Sequence, residues 1–347
     1  MELERYTQAR IAALLLRNKI VSDWLCIRYP VVIVDEFQDC TGDRLCIIQA
    51  VESCCHVIAA ADEFQDLQPT GSNAAVAWLH GGGGKKTVLT GNWRTKQTVL
   101  LQAASRLRSS QDCGDALQGA LMSGFNANAA AGGIARTLCW KQCKDVVILT
   151  PTGPEKSGFV RDVVARLVSK PITPRGINKP VGPFRVIWES NVVEEKALVI
   201  SKLGNVAKGA TLQQILALSS GDTGMLSDLF QWAERRFRIK GQTHFSEIEL
   251  STAIDRILQS RRAFLPTEHP GVIRAMTISQ AKNREFEGVI VLWPFALGGD
   301  LESQRRRLYN ALTRAQKWAI VIVQDDVKKA SRLLASPFSK PPRATSA

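Results

Sequence analysis

Short aliphatic runs with no polar residue among them constrain this chain more than any other feature. The plainest are "VVIV" at 31–34, "VVIL" at 146–149, "VIVLW" at 289–293 and "AIVIV" at 319–323. A strand sends alternate side chains to opposite faces, so a run apolar at every position is apolar on both faces and needs cover on both. Segments of helical period lie between the runs, among them "GDRLCIIQAVESC" (42–54), residues 97–107 and "FVRDVVARLVSK" (159–170). Strand and helix in alternation indicate α/β class, a parallel sheet with helices on both faces. Two further strands are expected at "HVIAAADE" (56–63) and "TVLTGNW" (87–93), and an amphipathic helix over 2–18. Residues 110–133, with "NANAAAGG", read as a flexible connection, and residues 171–270, with prolines and then helical segments, as an insertion. The tail 331–347, ending in "SPFSKPPRATSA", reads as disordered.

At 347 residues, 45% hydrophobic and 22% charged, the chain has the composition of a globular protein with room for two domains. Lys and Arg outnumber Asp and Glu by 45 to 32, a net charge of +13 that suits a polyanionic partner such as nucleic acid. The early acids Glu2 and Glu4 and a short apolar run argue against a signal peptide, and nothing approaches the ~20 apolar residues of a membrane span. A cytoplasmic location is therefore expected. Eight cysteines show no metal-site spacing: Cys54 and Cys55 are adjacent, and Cys139 and Cys143 are separated by three residues. Reduced thiols and no zinc site are expected.

The chemistry gathers where the apolar runs end. "VVIVDEFQD" delivers Asp35 and Glu36 to the C-terminal edge of a strand, where a carboxylate can hold Mg²⁺ of a nucleoside triphosphate and its neighbour can take a proton from water. The second strand ends in Asp62, with Gln65 three residues on. A Gln beside a γ-phosphate can sense it and orient water. "GNWRT" supplies Arg94 next to Trp93, and "RRRLYNALTRAQK" supplies Arg314. Two separated arginines suit charge developing on a transferring phosphoryl group.

In this order the segments resemble the motifs of the UvrD/Rep family of superfamily 1 DNA helicases. "VVIVDEFQD" resembles motif II, "ADEFQDL" motif III, "GNWRT" motif IV, "MTISQAKNREFEGVIVL" motif V and "RRRLYNALTRA" motif VI. They span 31–96 and 275–323. The resemblance implies RecA-like parallel sheets: a partial first RecA-like domain over 1–85 and a second over 86–330, with the insertion at 171–270. It implies ATP and Mg²⁺ as ligands and single-stranded or partly duplex DNA as partner. Asp35 would bind Mg²⁺ and Glu36 would activate water. Gln65, Arg94 and Arg314 would meet the γ-phosphate, Trp93 the adenine and Glu285 the ribose. Thr277 and Lys282 would face DNA. Tyr309 belongs to motif VI with no role specified.

The chain departs from the family in several places. Ser279 stands where motif V has His, and Asn283-Arg284 stand where it has Gly-Leu. "QPTGS" (68–72) replaces an aromatic and an Arg that meet bases, which puts base stacking there in doubt. Before motif II the family has an adenine-reading segment, a Walker A loop and motif Ia, for which there is no counterpart in residues 1–30. "HGGGGKKT" (80–87) fits the Walker A pattern in neither register, and "GPEKS" (153–157) fails because Glu155 precedes its Lys. Three readings follow: part of a truncated or split helicase needing a Walker A from a second polypeptide; a non-catalytic DNA-binding protein; or a subunit that docks on another helicase. In the first, the chain alone hydrolyses no ATP. Besides Lys282, the basic stretch 231–245, "QWAERRFRIKGQTHF", is a candidate DNA contact, against the alternative of a solvated amphipathic helix.

Overall fold

In a computed structural model the described residues are 2–67, 73–82, 84–89, 95–117, 120–124, 126–141, 143–189, 192–219, 224–263, 272–294, 297–324 and 337–338. Strands β1 (Val31–Val34) and β2 (His56–Ala59) form a two-stranded parallel sheet, with Ile33 opposite Ile58. The remaining strands are β3 (Leu121–Gly124), β4 (Val146–Thr150), β5 (Arg185–Trp188), β6 (Gly209–Thr211), β7 (His244–Ser246), β8 (Val272–Thr277), β9 (Phe286–Trp293) and β10 (Ala315–Gln324). Six of them make the main sheet in the order β3-β10-β9-β4-β8-β5, with every pairing parallel.

The double-sided runs explain this sheet. In β9, Val289 and Val291 pack into one buried cluster with Leu100, Leu107, Leu308 and Leu312, while Ile290 and Leu292 pack into the other with Ile134, Val160, Val163 and Leu167. Each face is covered by helices, Thr98–Arg108 and Leu301–Leu312 on one and Ala127–Trp140 and Gly158–Ser169 on the other. Burial of this completeness contributes roughly 1.5–3 kcal/mol per large aliphatic side chain. The fold is α/β with a RecA-like parallel sheet, as the alternation of strand and helix indicates. Pro337 and Phe338, within the tail, pack on the first face: Phe338 is buried edge-on against Trp293, and the Pro337 carbonyl accepts from Cys113 N.

Four local expectations are corrected. Residues 110–133, where a flexible connection was expected, include β3 and the first half of the helix Ala127–Trp140. Asn126 caps that helix by accepting from Ala129 N at 2.9 Å, and the small residues serve close packing: a Cβ on Gly133 would stand 3.3 Å from Met122 Sδ. Of the strand expected at 87–93, residues 87–89 form none and leave Val88 and Leu89 exposed, while 90–93 lie outside the described residues. Within 171–270, β5 belongs to the main sheet, and a separate helical body begins only at Val192. Its helices Val192–Leu203, Leu212–Ser219, Met225–Lys240 and Glu247–Ala263 enclose Leu229, Phe245, Leu250 and Ile254, with β6 and β7 paired antiparallel beside them. Finally, Cys26 and Cys54 form a disulfide rather than reduced thiols. Their sequence separation of 28 hides a Cα–Cα distance of 5.8 Å, inside bridging range.

The N-terminal region is built differently. The helix Asp43–Glu52 packs on β2, and the helices Glu2–Leu15 and Lys19–Arg28 pack on that helix, with Phe37, Leu45 and Ala75 as a small core. Outside that core much apolar surface is open: Ile33 is 73% exposed, Ile27 84% and Trp24 63%, with Ile11, Leu14, Ile20, Tyr29 and Val31 also exposed.

Candidate functional site

The C-terminal ends of β1 and β2 are tied together by Gln38. Its Oε1 accepts from Asp62 N at 3.0 Å and its Nε2 donates to the Glu36 carboxylate, while Phe37 N donates to Ala60 O. Glu36 sits in the left-handed region at φ 50°, ψ 44°. A non-glycine residue held there stores strain of order 1–3 kcal/mol, a feature concentrated at functional sites. Asp35 is exposed and one of its oxygens accepts from Glu36 N at 2.8 Å. Mg²⁺ is held by one or two carboxylates plus waters and phosphates, so an exposed Asp35 beside half-buried Glu36 fits that ion.

Asp62 is the centre of a network that joins the two sheets. Its Oδ1 accepts from Phe64 N. Its Oδ2 accepts from Gln65 Nε2 at 2.9 Å, from the Tyr309 hydroxyl at 3.2 Å and from Arg108. Gln65 Oε1 in turn accepts from Arg314 Nη2 at 3.1 Å across 249 residues of sequence. Arg314 is only 2% exposed and also donates from Nε to Asn310 O. The helix Leu301–Leu312 is thereby docked on the turn Glu63–Gln65, reinforced by Phe64 edge-on to Tyr309 at 5.1 Å and by Arg306 donating to Glu63 O.

Arg108 was missed in sequence. It ends the helix Thr98–Arg108, lies over the Tyr309 ring at 4.7 Å and donates from Nε to the Tyr309 hydroxyl at 2.9 Å. Burial works against its charge, but Tyr309 and Asp62 outweigh that and raise its pKa. Burial, and then Asp62, raise that of Tyr309. A basic residue closing a helix on the strand-end side was the available signal, but the last turn of many helices is basic.

The other residues singled out divide as follows. Thr95 and Glu285 converge on Gln316: Thr95 Oγ1 donates to Gln316 O at 2.8 Å, and Gln316 Nε2 donates to Glu285 Oε2 at 3.0 Å. Trp93 and Arg94 lie outside the described residues. Thr277 closes a turn at the end of β8, its N–H and hydroxyl both donating to Gln280 Oε1 at 2.8 Å. Lys282 donates to both oxygens of Asp39, at 2.9 and 3.0 Å, which links the turn after β8 to the segment after β1. In the basic stretch, Arg236 is held by Glu249 and Trp232 and Arg238 by Glu234, while Arg235 and Lys240 are exposed.

Both departures at 283–284 have a structural account. Asn283 has φ 61°, the conformation that glycine adopts freely and Asn tolerates best among other residues. Arg284 donates from Nη1 to both oxygens of Glu189, at 2.8 and 2.7 Å, and lies 5.6 Å from the Phe286 ring centroid. Glu189, at the end of β5, is 8% exposed.

β8, β9, the helix after them and β10 therefore bring the segments that resemble motifs V and VI onto the ends of β1 and β2. Residues 272–322 match the family model of the UvrD-like helicase C-terminal domain. That helicase-like segment begins at β8 and ends within β10, and includes Thr277, Lys282, Glu285 and Arg314. No curated protein matches the chain. Among the described residues no helix is long and apolar enough to cross a membrane.

Proposed function

We propose that this chain is the part of a UvrD/Rep-like DNA helicase that carries its hydrolytic carboxylates and its arginines, and that it couples ATP hydrolysis to movement along DNA in the cytoplasm. The phosphate cradle comes from a further segment, on the same or another polypeptide, that adds a strand beside β1. The observation that carries the reading is the bond between Arg314 and Gln65. The resemblance gives both residues to the γ-phosphate, and the fold brings them together from opposite ends of the chain.

In this reading Asp35 holds Mg²⁺, which supplies charge neutralisation on the phosphates. Glu36, fixed by Gln38, accepts the proton of the attacking water. Arg314 exchanges the neutral oxygen of Gln65 for a phosphate oxygen. The donor is charged in both bonds, and the exchange adds a charged acceptor. Gln65 is then released to the water, and its other partner Asp62 carries the change to Tyr309 and Arg108. Glu285 takes the ribose, Trp93 the adenine, and Arg94 joins Arg314 on the phosphate. On the DNA side, Lys282 exchanges Asp39 for a backbone phosphate, and Thr277 lies at the start of the same turn. The net charge of +13 favours that exchange. The open apolar face of β1 and the neighbouring helices supports the docking of a further segment.

Steady-state ATP hydrolysis tests this. The chain alone should turn over far below ~1 s⁻¹, an ordinary enzyme rate. Mixed with a polypeptide carrying a strand, a GxxxxGK[ST] loop and its helix, it should gain activity that single-stranded DNA stimulates, that added salt weakens and that Glu36→Gln abolishes. DNA-stimulated turnover of about 1 s⁻¹ or more by the chain alone, lost in Glu36→Gln, would show that the cradle lies within this sequence.

A further inference from the structure

The helicase reading leaves one cluster of reactive side chains unused. Cys26 lies in the helix Lys19–Arg28, and Cys54 and Cys55 lie in the turn between the helix Asp43–Glu52 and β2. All three Sγ atoms lie within 4.8 Å of one another, and no other such group of three metal-capable side chains occurs among the described residues. Cys55 Sγ stands 3.4 Å from that of Cys26 and 3.9 Å from that of Cys54. Thiolates bound to a tetrahedral cation at ~2.3 Å stand about 3.8 Å apart, so both of these spacings are already near what such an ion needs. Cys55 is buried and the other two are half-buried, which gives the cluster a closed side and an open one. Sequence spacing conceals it, because Cys26 lies 28 residues before its neighbour Cys54.

We propose that Cys26, Cys54 and Cys55, once the Cys26–Cys54 disulfide is reduced, form a three-thiolate site for a soft d¹⁰ cation, zinc(II), with the fourth position open to water or an external ligand. A dithiol reductant opens the disulfide by exchange: its two thiols become a disulfide, and Cys26 and Cys54 each gain a proton. Zinc(II) then forms three Zn–S bonds and releases three protons, one from each thiol. The site fastens the helix Lys19–Arg28 to the entry of β2, so a bound ion stabilises the N-terminal region by mass action. In the oxidised chain the disulfide makes the same fastening without the ion. The site stands independently of the helicase reading.

Cobalt(II) is the probe, titrated into the full chain after reduction with a phosphine, which supplies no thiol. One cobalt per chain should give thiolate-to-cobalt charge-transfer absorption in the near ultraviolet, and zinc(II) should displace it. Cys55→Ser should weaken binding by about tenfold or more, the size of effect that even outer-shell changes reach. Cys46→Ser, exposed on the helix Asp43–Glu52, should leave it unchanged. Bound zinc should shield Cys26, Cys54 and Cys55, and no other cysteine, from alkylation. That mapping on the unmutated chain decides the matter if Cys55→Ser does not fold. Absence of charge transfer in the reduced chain, a Cys55→Ser titration equal to that of the unmutated chain, or shielding of a different set of cysteines would each overturn the site.

Discussion

Arg284 shows how one residue rewrites its surroundings. Where the UvrD/Rep motif has Leu, this chain places a guanidinium, and Glu189 stands opposite with both oxygens engaged. A half-buried pair of this kind is retained only if its partner stays, because an uncompensated charge away from water is costly. Glu189→Ala should therefore lower stability by about 3 kcal/mol. The double change Glu189→Ala with Arg284→Leu should recover part of that loss, since it removes the uncompensated charge that the single change leaves. Urea unfolding of the four chains closes the cycle. Equal instability of the single and double variants would mean that Glu189 acts through β5 rather than through Arg284. The pairing also shows what sequence alone could not reveal. Arg284 was visible as a departure, but its partner lies 95 residues away, in a segment that read as an insertion.

Single elements were legible where they carry their own signal. β4, β9 and β10 each contain an unbroken apolar run (146–149, 289–293 and 319–323), so burial on both faces could be read from the run itself. β3 and the helix Ala127–Trp140 were not legible, because their small residues acquire meaning only against Met122 and Ile322. The site divides along the same line: Asp35, Glu36, Gln65 and Arg314 stand in recognisable strings, whereas Arg108 is defined only by what it meets. The helix Glu247–Ala263 offers an elemental test. Ser246 and Glu249 form a capping box, with Ser246 N and Oγ donating to Glu249 Oε2 at 3.0 Å and Glu249 N donating back to Ser246 Oγ at 3.4 Å. The Ser246 backbone N–H, and then Gln242, hold the Glu249 carboxylate below its ordinary 4.5. A depressed pKa contributes stability that is present above the unfolded value and lost as pH falls through the folded one. The stability gap between the unmutated chain and Glu249→Gln should accordingly be full near neutrality and shrink as pH drops below 4.5. A gap that stays constant from about pH 7 to about pH 3 would remove the carboxylate's charge from the account.

At the scale of the whole molecule the two sheets differ in how well they are covered. β9 is hydrogen-bonded on both edges and buried on both faces, whereas β1 is paired with β2 alone among the described residues and leaves Ile33 73% exposed. Parallel strands are stable when both faces are covered, and an open parallel edge invites another strand. Amide exchange should report the contrast. Residues 31–34 should exchange through local openings of a few kcal/mol, while residues 289–292 should exchange only near the global limit of roughly 5–15 kcal/mol. A polypeptide bearing the phosphate-binding strand and loop should slow exchange at 31–34 and confer ATP binding together, because one strand added beside β1 does both. It should leave 289–292 unchanged, since that strand already has two neighbours. Strong and equal protection of both regions in the chain alone would show that the first sheet is already covered, by its own helices or by a second copy. The open face would then be no docking surface, and a protein that binds DNA without hydrolysing ATP would be the better account of this chain.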